Sequence, residues 1–275
     1  MKKTLALILC SVLLVSALLS VSASAFAADK PVKLVIGASS TPHGELLEIV
    51  KPVLAEQGID LDIKIYDDYV LPNTALQDGD LDANYFQHAP YMNSFNESNG
   101  TDLVSAGLVH YEPMGIYSTT VTDLKDLADG ATILVPDDVS NQTRALLLLQ
   151  QEGLIVLPDD ASVETAPSVL DIKDAKGYKV QAAQADTVPS LLKSGEKGTI
   201  AVINYNYALD AGFKTTDALA IEDAEGNAAQ TYANLVAVRR GDEDRPEIKA
   251  LVAALQDGAV EKFNESTGAG IVSIK

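Results

Sequence analysis

The stretch that most narrows the choice of fold runs from Val32 to Asp67 and reads "VKLVIGASS", "TPHGELLEIVKPVLAEQG", "IDLDIKIYD" without a break. The first piece is a short apolar run ending in small residues, as expected of a strand buried on both faces. The second places Leu46, Val50, Val53 and Leu54 at helical spacing, with Pro42 positioned to open the helix and Gly58 to close it. Pro52 inside it predicts a kink. The third alternates as a strand does. Two strands joined by a helix of this length form a parallel crossover, so the chain is committed to an α/β sheet with helices on its faces.

The alternation continues to the C-terminus. Helices are expected at "LPNTALQDG", "APYMNSFNES", "VTDLKDLADG", "NQTRALLLLQQEG" and "TVPSLLKSG", and a last long one at "RPEIKALVAALQDGAVEKFNEST". Strands are expected at "LDANYF", "DLVSAGLVHYEPMGIYS", "ATILVPDD", "YKVQAAQ", "TIAVINYN" and "YANLVAVRR". There is no repeat of fixed period and no Pro/Gly/Ser-rich linker. Two domains would therefore be joined by extended segments, near Gly115–Ser118 and Thr231–Asn234, which makes the first domain discontinuous.

Lys2 and Lys3 followed by the apolar run Leu5 to Val21 have the pattern of an export signal, and "SASAFAADK" puts small residues at Ala25 and Ala27, so cleavage is expected after Ala27. A retained anchor is the competing reading, since the run is nearly long enough to span a bilayer. Cys10, the single cysteine, lies inside this segment, leaving the mature chain without disulfides, thiolate nucleophiles or cysteine-bound metal. Leu9 precedes it where a lipidation signal wants a small residue, which favours an unanchored form. Removing residues 1–27 takes away two lysines and no acid, moving the formal charge from −19 to −21. So acidic a chain offers no footprint for nucleic acid or an anionic membrane. The remaining 248 residues suffice for one large domain or two modest ones.

Several polar residues stand where a ligand could meet them. Arg144, read as lying in the first turn of its helix, would be disfavoured by the dipole unless an anion shared the site, which points to a carboxylate; a local pair with Asp137 or Asp138 is the alternative. In "ANYFQH", alternation puts Asn84, Phe86 and His88 on one face, an amide, a ring and an imidazole together. A satisfied core histidine explains the same residues. Asn204 and Asn234 sit at strand ends, where open α/β sheets bind ligands and where asparagine also serves turns. Tyr69, Tyr111, Met114 and Tyr117 would line an apolar slot or simply pack. His43, His88 and His110 are isolated in sequence, so no metal or cofactor is expected. No G-x-S-x-G occurs and the carboxylates form no recognisable acid/base pair, so the chain does not read as an enzyme.

Taken together, "DDYVLPNTALQDGDLDANYFQHAPYM", "VPDDVSNQTRALLLLQQEGLI", "IAVIN" and "YANLVAV" resemble the MetQ/NlpA family, the methionine-binding proteins of ABC importers, from about Val32 to the C-terminus. The resemblance implies a type II periplasmic-binding-protein fold, two α/β lobes joined by two crossing strands. It divides the chain into a signal at 1–27, lobe I at 28–116 plus 235–275, and lobe II at 117–234. It implies that Arg144 clamps the ligand carboxylate, that Asn141, Asn204 and Asn234 hydrogen-bond its charged ends, and that Tyr69, Phe86, His88 and Tyr91 wrap a thioether, with Asn84 beside them. The partners it implies are L- or D-methionine or a methionine peptide, and a membrane permease with its ATPase, the protein itself being monomeric outside the cytoplasm. Glu112 and Met114 are expected to alter the pocket rim. Another small anionic ligand on the same fold, or an exported hydrolase or lyase using His88, are the competing functions.

Overall fold

A computed structural model describes residues 30–223 and 227–274; the expected leader, its cleavage point and Cys10 lie outside them. Following the chain, β1 (Val32–Ala38), β2 (Ile59–Ile65), β3 (Ala83–His88) and β4 (Leu103–Tyr111) enter one sheet. β5 (Gly115–Ser118), β6 (Thr132–Pro136), β7 (Lys179–Ala183), β8 (Ile200–Ile203) and β9 (Ala220–Ile221) form a second. β10 (Ala233–Arg239) and β11 (Val272–Ser273) return to the first. The strand orders are β11-β4-β10-β3-β1-β2 and β7-β6-β8-β5-β9. β1 runs parallel to β2 and β3, while β10 lies antiparallel between β3 and β4. The chain thus crosses between sheets at 112–114 and again between β9 and β10, the second crossing containing the short helix α7 (Asn227–Thr231).

The opening β-α-β unit forms as its pattern requires. Thr41 is extended, and a π-type turn at Ser40–Gly44 leads into α1 (Glu45–Glu56), which runs on through Pro52. Its Leu46, Leu47, Val50 and Leu54 are buried with Leu34 and Ile36 of β1 in the larger core. The same core takes Ile248 and Leu251 from α8 (Pro246–Gln256) and Phe263 from α9 (Ala259–Thr267). A separate core under the second sheet joins Ile116, Ile133, Val135 and Val202 to Leu146 and Leu149 of α4 (Val139–Gln151). The remaining longer helices are α2 (Leu71–Asp78), α3 (Ala89–Asn99), α5 (Val188–Ser194) and α6 (Tyr205–Asp210).

Three sequence expectations change. "VTDLKDLADG" yields only a 3-10 turn at Leu124–Asp126, because Asp123 is extended and its carboxylate takes the Lys125 N–H, a local bond that competes with helix growth. The long final helix divides at Gly258, whose φ of 78° is left-handed and ends the first segment. The long strand from Asp102 to Ser118 is two strands, one in each sheet, separated by the crossing at 112–114.

Leu251 is fully buried, whereas Leu170 is 92% exposed. Urea unfolding should therefore show Leu251→Ala destabilised by about 2–5 kcal/mol, and Leu170→Ala unchanged within about 0.5 kcal/mol.

Candidate functional site

Where the crossings meet the two sheets, side chains from both halves surround a narrow cavity. Phe86, Gln87 and His88 reach it from the end of β3, and Tyr91 from the first turn of α3. Strict alternation would not send these β3 neighbours to one place. Opposite β10, Gln87 pairs with Leu235 and Tyr85 with Val236, so Phe86 is an extra residue in the ladder, a β-bulge. The bulge re-aims the side chains that follow it. It also corrects the expectation for Asn84. That amide does not line the cavity: its Nδ2 donates to Asn73 Oδ1 and the Pro72 carbonyl, and its Oδ1 accepts from Gln87.

Three rings form the apolar end. Tyr69 lies 5.7 Å from Phe86 and 5.5 Å from Tyr91, centroid to centroid, and Phe86 lies 6.0 Å from Tyr91. The Tyr69 hydroxyl donates to Asn206 Oδ1 at 2.6 Å, and the Tyr91 hydroxyl to the Tyr69 carbonyl. Tyr69 also stacks on Tyr207 at 4.7 Å. These contacts join the first sheet's side of the cavity to α6 on the other.

The polar end is built around Arg144. Helix α4 begins at Val139 with Asp138 as its cap, so Arg144 falls in the second turn, and the free first-turn N–H at Asn141 is already bonded to Asp138. Its anion is instead Glu222, 78 residues away. Nε lies 2.9 and 3.0 Å from the two carboxylate oxygens and Nη2 lies 2.5 Å from one of them. Nη2 also donates to the Glu112 carbonyl at 2.7 Å, and the Tyr232 ring covers the guanidinium at 4.4 Å. Burial works against this charge, but Glu222 and the neighbouring tyrosines more than offset it, leaving the pKa above the ordinary arginine value.

Asn141 links the halves: its Oδ1 accepts from His88 Nε2 (3.1 Å) and Asn204 Nδ2 (2.9 Å), while its Nδ2 donates to Asp138. The N–H of Tyr91 donates to His88 Nδ1, which fixes His88 as the neutral Nε2–H tautomer. Two cavity-lining amides are left with buried orphans among the described residues, the acceptor Asn204 Oδ1 and the donor Asn206 Nδ2. Such atoms call for a polar guest.

Beneath them sits Glu112, buried and lining the cavity, deeper than a rim residue. His110 Nε2 lies 2.8 Å and His43 Nε2 3.2 Å from its Oε1, and His43 Nε2 is also 3.0 Å from Asn234 Oδ1. The opposite nitrogens meet the hydroxyls of Ser39 and Tyr85. The three ligand atoms of His43, His110 and Glu112 have a spacing that a metal ion could use. Hydroxyls donating to both Nδ1 atoms, with both Nε2–H groups directed at Glu112 and Asn234, satisfy every member without one. Met114 and Tyr117, offered by the sequence as slot or rim residues, pack in the second sheet's cores, and Tyr111 packs near the crossings and donates to Glu222.

Eight of the nine expected residues therefore converge: Tyr69, Phe86, His88, Tyr91 and Asn234 from the first sheet's half, Asn141, Arg144 and Asn204 from the second's. Asn206 was not among the expected residues, although it stands two places past Asn204, and the counter-charge of Arg144 is Glu222 rather than the expected ligand carboxylate or Asp137 or Asp138.

Two mixed sheets crossed twice by the chain, with a polar and aromatic cavity between them, are the architecture of a type II periplasmic binding protein. The chain matches the NlpA lipoprotein family over residues 34–273 and belongs to it. It is 39% identical over 243 residues to the methionine-binding lipoprotein MetQ of Bacillus subtilis, 87% of each chain. It is 35% identical to the D-methionine-binding lipoprotein MetQ of Escherichia coli, over 88% of this chain and 86% of that one. A solved structure of a nutrient binding protein from Burkholderia cenocepacia bound to methionine matches with a TM-score of 0.81 at 39% identity, covering 88% of this chain and 100% of that one.

Burial holds His43 at about 4 and His88 and His110 at about 3, with Arg144 adding to the effect on His88 and Glu112 opposing it on His43. Folded values below the unfolded one mean that stability is lost as pH falls from about 6.5 towards 3–4, because only the unfolded chain takes up the protons. Glu112, raised by burial, acts in the opposite direction. Imidazole ¹⁵N spectra at pH 5 should show all three histidines of this chain neutral.

Proposed function

We propose that this chain is the extracytoplasmic substrate-binding protein of a methionine ABC transporter, enclosing methionine between its two sheets and delivering it to a membrane permease driven by an ATPase. The observation that carries the reading is the convergence of the buried Arg144 guanidinium and the Tyr69, Phe86 and Tyr91 rings on one narrow cavity. An α-amino acid with a thioether fits both ends. The carboxylate would take the guanidinium and Asn206 Nδ2; the ammonium would face Glu112 and Asn204 Oδ1. The sulfur would sit among the rings, where thioether contacts at about 5 Å contribute roughly 0.3–1.5 kcal/mol. Asn141 and His88 are spoken for by each other, so they would shape the cavity rather than grip the ends of the ligand. Asn234 would act partly through His43.

In this reading the protein binds without catalysing. His88, the residue a hydrolase or lyase would use as a base, has both ring nitrogens engaged: it accepts from the Tyr91 N–H and donates to Asn141. The protein is proposed to act as a monomer outside the cytoplasm. Among the described residues no helix is long and apolar enough to cross a membrane. Leu9 before Cys10 favours release after Ala27 over lipid attachment, although the relatives above are named lipoproteins; the intact mass of the exported protein decides between the two.

Titration calorimetry with L-methionine, D-methionine and a methionyl dipeptide tests the ligand class. Arg144→Ala should weaken methionine binding by about 3–5 kcal/mol, since it leaves a buried carboxylate unpaired. Phe86→Ala should weaken it up to about tenfold through loss of the ring contact. Unchanged affinity in both variants would remove this cavity as the site.

A further inference from the structure

Glu222 is the unexplained member of the site. It lies at the start of the second crossing, and its Oε2 accepts from Arg144 Nε and Nη2, from the Tyr111 hydroxyl at 2.7 Å and from the Met114 N–H at 2.8 Å. Its side chain is 9% exposed. Donors from three residues, one of them a main-chain amide, hold it in place, so it is a fixed counter-ion and not a guest that a ligand carboxylate could displace.

The consequence for Arg144 is geometric and electrostatic. Nε and Nη2 are committed to Glu222 and to the Glu112 carbonyl, and the Tyr232 ring covers one face. A ligand carboxylate is left the Nη1 end. The charge of Arg144 is already paired with Glu222, so Glu112, whose carboxylate accepts from the Nε2–H groups of His43 and His110, is the acid left to meet a ligand in the cavity. A second lone anion buried beside it would be strongly disfavoured, whereas a molecule bringing its own cation would not.

We propose that Glu222 is a specificity-determining positioning residue: by orienting and neutralising Arg144 it makes the cavity accept a carboxylate only on a ligand that also presents a cation to Glu112. The cavity so arranged selects α-amino acid zwitterions and rejects the corresponding simple acids. This deepens the reading of the cavity given above and rests on it for the choice of ligand.

The test compares methionine with 4-(methylthio)butanoate, the same molecule without its amine, by calorimetry on the wild type, Glu222→Gln and Glu222→Asp. The wild type and Glu222→Asp should bind methionine in strong preference to the acid. Glu222→Gln should narrow that preference by about tenfold or more, since the freed guanidinium charge then attracts a bare carboxylate. A purely structural Glu222 would weaken both ligands in parallel, and an unchanged ratio in a folded Glu222→Gln protein overturns the proposal. A measurement on the wild type needs no variant: a guanidinium held by Glu222 should give resolved, slowly rotating Nη–H signals for Arg144 before any ligand is added. Signals that appear only on adding methionine overturn the proposal even if Glu222→Gln fails to fold. Failure of the wild type to bind methionine at all, with those signals resolved, would instead count against the ligand and leave the Glu222 lock standing.

Discussion

A guanidinium that is only 4% exposed cannot be left without a counter-charge, and the arrangement of the joint between the sheets follows from how that demand is met. Arg144 comes from a helix of the second half, Glu222 from the segment returning to the first, and Tyr111 and Met114, which hold Glu222, from the segment leaving it. One ion pair thus ties both crossings to α4. The two connections between the sheets are braced by the same buried carboxylate that sets how Arg144 faces the cavity.

The other half of the cavity depends on a local irregularity. The extra residue at Phe86 lets β3 turn Phe86, Gln87 and His88 towards the cavity while Asn84 stays in an amide network with Asn73 and Gln87. The network is closed, its members satisfying one another, so it works as a rigid floor. Against it the three rings stand at fixed distances, joined to the far side by Tyr69 and Asn206. Asn204 Oδ1 and Asn206 Nδ2, left unpartnered, belong to residues lining the same cavity, where a ligand with one charged and one apolar end would supply what is missing.

Much of this was legible in the residues themselves. The β-α-β opening follows from periodicity, and the family motifs name most of the cavity's residues. What was hidden depended on tertiary pairing. Arg144 does face the cavity, but not from the first turn of its helix: that helix starts five residues earlier, and Asp138 already takes the Asn141 N–H. Glu222 carries no local signal, since its partner lies 78 positions away. Asn84 was misplaced because a bulge cannot be seen in an alternating pattern. The final helix broke where Gly258 adopts a conformation that composition alone leaves optional.

The account stands on one spatial claim, that a thioether amino acid lies with its sulfur among Tyr69, Phe86 and Tyr91 and its carboxylate at the open end of Arg144. Soaking crystals of the protein with selenomethionine and recording anomalous scattering at the selenium edge locates the heavy atom directly. A single strong peak enclosed by those three rings is the result expected; a peak elsewhere on the surface, or none at saturating ligand, would contradict it.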